Sequence, residues 1–103
     1  MTFKQLPPMH PGEVLREEFM IPLGLSAGAI AKACGVPRTR IERITTETMG
    51  ISADTALRLG RYFGVDPRFW MNLQTRYDFE MAQIAAGPEL EKITPNEAIK
   101  HAA

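Results

Sequence analysis

A chain of 103 residues with 45% hydrophobic content has the size and composition of one globular domain and is too short to hold two cores. Twelve basic residues balance twelve acidic ones, which excludes an indiscriminate polyanion binder. A single cysteine excludes an internal disulfide framework, and no run of about 18 apolar residues offers a membrane span.

The charge is unevenly placed. Residues 1–36 carry three basic and three acidic side chains. Residues 37–76 carry seven arginines against four acids, a net +3, and residues 77–103 carry two lysines against five acids, a net −3. His10 and His101 stand far apart with no second cysteine, so no metal-ligand spacing exists, and neither metal nor cofactor is expected. The first residues lack the basic-then-apolar pattern of a signal peptide. The expected location is the cytoplasm, without membrane association.

Residues 1–10 contain Pro7-Pro8 and no apolar period, and predict an extended N-terminal arm. From about residue 12 to 21, Val14, Leu15 and Phe19 mark the buried stripe of a first helix, which Pro22 and Gly24 end. Residues 26–45 are the most informative stretch. Ser26 can cap a second helix, on which Ile30, Ala31 and Cys34 recur at helical period. Ala31 is small where another helix must cross closely. Gly35 permits the positive φ of a tight turn, Val36 plugs the corner, and Pro37 suits the first turn of a third helix. Ile41 and Ile44 anchor that helix, leaving Arg38, Thr39, Glu42 and Arg43 outward. This is the layout of a helix-turn-helix, whose second helix lies in the DNA major groove. The alternative for this segment taken alone is an ordinary helical hairpin.

Thr45 to Gly50 reads as a polar loop. Ser52 caps a fourth helix, with Asp54 favouring its dipole and Ala53, Ala56, Leu57, Leu59 and Phe63 giving a broad apolar face; Gly64 stops it. Asp66-Pro67 opens a fifth helix to about Ala85, broken by Gly87-Pro88. Phe69, Trp70, Leu73, Tyr77, Met81 and Ile84 stripe it over four turns. Weak helical signals follow at Pro88 to Ile93 and at Pro95 to Lys100. The predicted fold is all-α, with five helices and the helix-turn-helix as the second and third. The domain division is an arm at 1–10, a helix-turn-helix domain at 11–86 and a tail at 87–103.

With the elements in this order, the chain resembles the HigA-type antitoxins of the Cro/lambda-repressor-like helix-turn-helix superfamily. The resemblance rests on His10-Pro11-Gly12-Glu13, Leu15-Arg16-Glu17-Glu18-Phe19, Gly24-Leu25-Ser26, Ile30-Ala31, Gly35-Val36 and Ile41. More specific are Ile51-Ser52-Ala53-Asp54-Thr55-Ala56-Leu57-Arg58-Leu59, Phe63-Gly64, Phe69-Trp70-Met71-Asn72-Leu73-Gln74 and Tyr77-Asp78. It implies a homodimeric transcriptional autorepressor that binds the operator of its own promoter and a RelE-like mRNA endoribonuclease toxin. Two positions depart from the superfamily pattern. Ala27 stands where many members carry a DNA-bracing glutamine, and Glu47 lies in the loop after the recognition helix, where basic residues are common.

On this reading binding comes from phosphate contacts that position and base contacts that specify. Arg38 and Thr39 occupy the N-terminal end of the recognition helix, and Arg43 lies one turn further along the same face. An arginine can bind guanine O6 and N7 in a bidentate manner, which ranks Arg38 and Arg43 above Thr39. The bland alternative for each arginine is a solvated face charge. Arg40 reads as a phosphate contact. Glu42 either accepts from cytosine N4 or pairs with Arg38 at i−4. Ser26 and its helix N-terminus can donate to phosphate. The apolar stripe Phe69, Trp70, Leu73, Tyr77, Met81 and Ile84 is assigned to a dimer interface rather than to a small-molecule pocket. The rival readings are a protein-interaction module with a vestigial DNA surface and a stand-alone regulator. No nucleophile–base pair or phosphate-cradling loop suggests an enzyme.

Overall fold

The computed structural model describes residues 6–102, and every regular element in that range is helical. Helix α1 is continuous through Pro11–Val14, a π-helical stretch Leu15–Met20, and Ile21–Leu23. It is followed by α2 (Ala27–Cys34), α3 (Arg38–Thr45), α4 (Ala53–Phe63), α5 (Pro67–Leu90) and α6 (Glu97–Ala102). The expected all-α order, with the helix-turn-helix as α2 and α3, is present. The short α6 is additional, its first turn capped by Asn96, whose side-chain oxygen accepts from the Ala98 and Ile99 N–H groups. The predicted arm at 1–10 lies partly outside the described residues; residues 6–10 carry no regular structure.

The capping residues act as their types predict. Ser26 accepts from the Ala29 N–H, Ser52 from that of Thr55, and Asp66 from that of Arg68. Gly24, Gly35 and Gly64 close three helices at φ between 63 and 69°. Pro37 is the residue before α3 rather than its first helical residue, with ψ at 142°.

Two prolines behave differently from expectation. Pro22 does not end α1 but lies in its last turn, and Gly24 alone closes the helix. A proline ring clashes with the carbonyl four residues back, here that of Glu18. The preceding π-helical stretch relieves this, because the Ile21 N–H bonds the Arg16 carbonyl five residues back. Gly87-Pro88 likewise fails to break α5, which runs on to Leu90 with Pro88 inside it. Pro88 and Ile84 are both exposed, so the carbonyl that loses its donor, that of Ile84, can turn to water. The boundary expected at residue 87 therefore falls within one helix.

Leu15, Ile30, Ile41, Ile44, Leu59 and Trp70 are fully buried and form the core with Ala31, Ile51 and Ala56. Leu57, expected on the inner face of α4, is instead exposed. Trp70 is the largest buried side chain, ringed by Phe19 at 5.0 Å, Phe69 at 5.1 Å and Phe63 at 6.3 Å between centroids. Its Nε1–H has no acceptor among the described residues.

The start of α1 is fixed by His10, which the sequence placed in the arm. His10 is buried, and its Nδ1 accepts from the Gly12 N–H at 2.9 Å. Its ring meets Tyr77 of α5 edge-on at 4.8 Å. Gly12 then passes against the end of α3 so closely that a Cβ would lie 1.7 Å from the Ile44 carbonyl oxygen. No rotamer change relieves a clash with backbone, so Gly12→Ala is expected to destabilise the fold by about 3 kcal/mol or more, read from urea unfolding. An unchanged midpoint would show that α1 can shift without loss.

Burial lowers the His10 pKa from 6.5, against the opposing pull of Glu47 and Asp78 and with Arg16 adding to the lowering. The cap requires the unprotonated ring nitrogen. A depressed pKa means the unfolded chain binds the proton more readily, so this contribution is present above pH 6.5 and is lost as pH falls through the folded value. Stability is expected to drop from about pH 7.5 to about pH 5, and the drop to be smaller in His10→Asn, which can still cap. Parallel pH profiles for the two proteins would contradict this.

Candidate nucleic-acid interface

The geometry of α3 follows from its anchors. Ile41 and Ile44 are fully buried, and at about 100° per residue Thr39 points most directly away from them, with Glu42 and Arg43 about 50° to either side. Arg38 and Glu42 lie on one flank and Arg40 on the other. The structure thus brings Arg38, Thr39 and Arg43 together on one exposed surface.

The arginines are held differently. Arg38 Nε pairs with Glu42 at 2.7 Å, the i,i+4 alternative left open by spacing. Its aliphatic stem passes over α2 at Gly28, where a Cβ would sit 3.4 Å from Arg38 Cδ. Exposed pairs of this kind are worth about 0.3–0.5 kcal/mol, so a base or phosphate can displace Glu42 at little cost. The Arg43 guanidinium makes no ion pair among the described residues. Arg40, expected to reach phosphate, instead donates from Nη1 to Asp54 Oδ2 of α4 at 2.8 Å. Ser26 is exposed at the start of α2 with its hydroxyl engaged in the cap.

The far end of α3 is closed by groups the sequence did not single out. The Thr45 hydroxyl donates to the Glu42 carbonyl, and those of Thr46 and Thr48 donate to the Arg43 carbonyl. Arg16 Nη1 reaches across from α1 to the Thr45 carbonyl at 2.5 Å. Glu47, at φ 65° the only non-glycine in the left-handed region among the described residues, pairs with Arg16 at 3.4 Å. The acid that departs from the superfamily pattern is therefore matched by a base of its own chain. Gln74 of α5 accepts the Ile51 N–H at 2.6 Å and passes its amide on to Asp78 at 2.9 Å, fixing the next loop. A threonine run directly after a helix was the available signal for these caps.

Of the six residues assigned to a dimer interface, Trp70 is corrected to the core: it is 0% exposed within its own chain. Leu73 is half-buried against that core, and half-buried Tyr77 faces His10. Phe69, Met81 and Ile84 remain exposed. Cys34 is half-buried, with burial raising its thiol pKa, as suits a packing residue. No metal-holding cluster occurs among the described residues, and none of their helices is long and apolar enough to cross a membrane.

Comparison with known proteins gives these features a family. Residues 15–70 match the helix-turn-helix family model. Virulence-associated protein I of Dichelobacter nodosus is 57% identical over 77% of this chain and 73% of its own length. Antitoxin HigA-1 of Vibrio cholerae is 34% identical over 69% of this chain and 67% of its own. A solved structure of Pseudomonas aeruginosa antitoxin HigA with the higBA promoter superposes with a TM-score of 0.83 at 45% identity, over 85% of this chain and 97% of that one. The chain belongs to the helix-turn-helix family of Cro/lambda-repressor-like regulators, among its HigA-type antitoxins. These are DNA-binding regulators and not enzymes.

Proposed function

We propose that this chain is a sequence-specific autorepressor that binds the operator of its own promoter as a homodimer and neutralises a RelE-like mRNA endoribonuclease. The observation that carries the DNA half is the surface of α3. Thr39 and unpaired Arg43 stand outward, with displaceable Arg38 beside them, on a helix whose opposite face is fully buried. Similarity to the HigA structure solved with its promoter supports the same use of this surface. The internal pairing of Glu47 with Arg16 weakens the rival reading of a vestigial DNA surface. Arg43 ranks first as a base contact because it has no ion-pair partner among the described residues to exchange. Arg43→Ala is expected to weaken binding to the promoter duplex about tenfold or more while barely changing binding to a scrambled one. Arg38→Ala should have a similar but smaller effect. Wild-type affinity in both variants would reject the recognition-helix assignment.

The homodimer is supported by the far half of α5. Past Tyr77 the helix leaves the core, and Phe79, Met81, Ile84 and Leu90 are all exposed there. A two-fold dimer also supplies the second recognition helix that a palindromic operator needs. Net charge −3 over residues 77–103 favours a basic toxin partner on the same segment, with the N-terminal arm as second contact. Sedimentation at micromolar concentration is expected to show twice the chain mass, and the Glu80→Lys/Glu89→Lys charge reversal to weaken toxin capture without loss of operator binding, since Asp78, Glu80 and Glu89 carry the net charge of the segment. A monomer in the first measurement, or undiminished capture when the charge reversal is combined with deletion of residues 1–9, would remove these two assignments.

A further inference from the structure

Asp54 lies in the first turn of α4, off the outward face of α3, yet two arginines end on it. Arg40 of α3 donates to Oδ2 at 2.8 Å, and Arg58 Nε, one turn along α4, donates to Oδ1 at 3.1 Å and Oδ2 at 3.0 Å. Arg58 is held at its other end as well. Its Nη1 donates to the Cys34 carbonyl at 2.8 Å and to the Gly35 carbonyl at 3.5 Å, the turn that joins α2 to α3. One carboxylate therefore connects α4, the turn of the motif and the first turn of the recognition helix. Arg58, tied at both ends, fixes the direction of the carboxylate, and the carboxylate fixes Arg40.

We propose that Asp54 is a positioning residue for DNA recognition: it holds Arg40 as a strut between α3 and α4, withheld from the phosphate backbone. This rests on the operator-binding reading above. Arg40 is on the flank of α3 nearest α4, and its side chain is 33% exposed against 72% for Arg38. Arg58 and then Arg40 hold the Asp54 carboxyl below its usual 3.8, so it stays charged wherever the protein meets DNA. The consequence is a recognition helix with one fewer free cation. Non-specific attraction, which scales with phosphates neutralised, is reduced, while the base-reading face at Thr39 and Arg43 is untouched.

The test is a salt series of binding titrations on a duplex carrying the chain's own promoter and on a scrambled duplex of equal length. Arg40→Ala is expected to keep the wild-type salt slope, because no phosphate contact is lost. Asp54→Asn frees Arg40 and should steepen the slope by up to about 0.9, one added phosphate. It should also lower the promoter-to-scrambled affinity ratio by about two- to fivefold. The double variant should return to the wild-type slope. A slope flattened by about 0.9 in Arg40→Ala would overturn the proposal, as would an Asp54→Asn protein that merely melts earlier and binds both duplexes more weakly at an unchanged slope. If Asp54→Asn does not fold, the Arg40→Ala slope alone decides. Wild-type protein that binds the two duplexes equally would overturn the operator reading itself, and this proposal with it.

Discussion

The close approach of α1 to the end of α3 is the constraint on which the recognition surface depends. An eight-residue helix is not stable in water by itself, so α3 takes its position from its neighbours. Gly12 lets backbone meet backbone at Ile44, and His10, by capping that same turn, sets the angle at which α1 arrives. Arg16 then completes the junction by donating to the Thr45 carbonyl. Threonine hydroxyls satisfy the carbonyls that α1 does not reach. The C-terminal end of α3 is thus clamped. Its N-terminal end has no side-chain cap and is tied to α4 through Arg40 and Asp54.

Trp70 serves the same arrangement from the other side. It anchors the start of α5 beneath α1 and α4, and its ring fills the space between Phe19 and Phe63. The apolar area that a tryptophan removes from water is what fixes the start of α5 at this point. Because the anchor lies in the first turn of α5, the remainder of that helix is free to project. That explains how one periodic stripe can be core at Trp70 and surface at Met81 and Ile84. Periodicity reports which residues share a face, but not how far along the helix the neighbouring elements extend.

The same distinction separates what was legible in the sequence from what was not. Ser26, Ser52, Asp66 and the glycines at 24, 35 and 64 act within a few residues of themselves, and each sits where its local chemistry indicates. Ile30, Ala31, Ile41 and Ile44 were likewise readable, since helix-turn-helix spacing places them against one another. Pro22 and Pro88 were misjudged because the breaking rule assumes regular i−4 bonding or a packed carbonyl, and here a π-helical stretch and solvent exposure remove the penalty. The pairings of Arg40 and His10 were not legible for another reason. Their partners, Asp54 and Tyr77, are distant in sequence, and no local pattern announces such a pair.

Electrostatics joins these points to specificity. A net charge of zero looks unpromising for a DNA-binding protein, yet the balance is local rather than diffuse. Around α3, Arg16 is matched by Glu47, Arg38 by Glu42 and Arg40 by Asp54, leaving Arg43 on the outward face with no ion-pair partner among the described residues. These pairs are exposed and individually weak, so they hardly stabilise the fold. Their effect falls on the unbound surface. A paired arginine offers little long-range attraction to any duplex, because the field of the pair falls off steeply and salt screens the rest. At contact distance a well-placed guanine or phosphate can replace Glu42 on Arg38, a pair worth only a fraction of a kcal/mol. A helix built this way gains less from arbitrary DNA than a free arginine cluster would, and loses little on the site it fits.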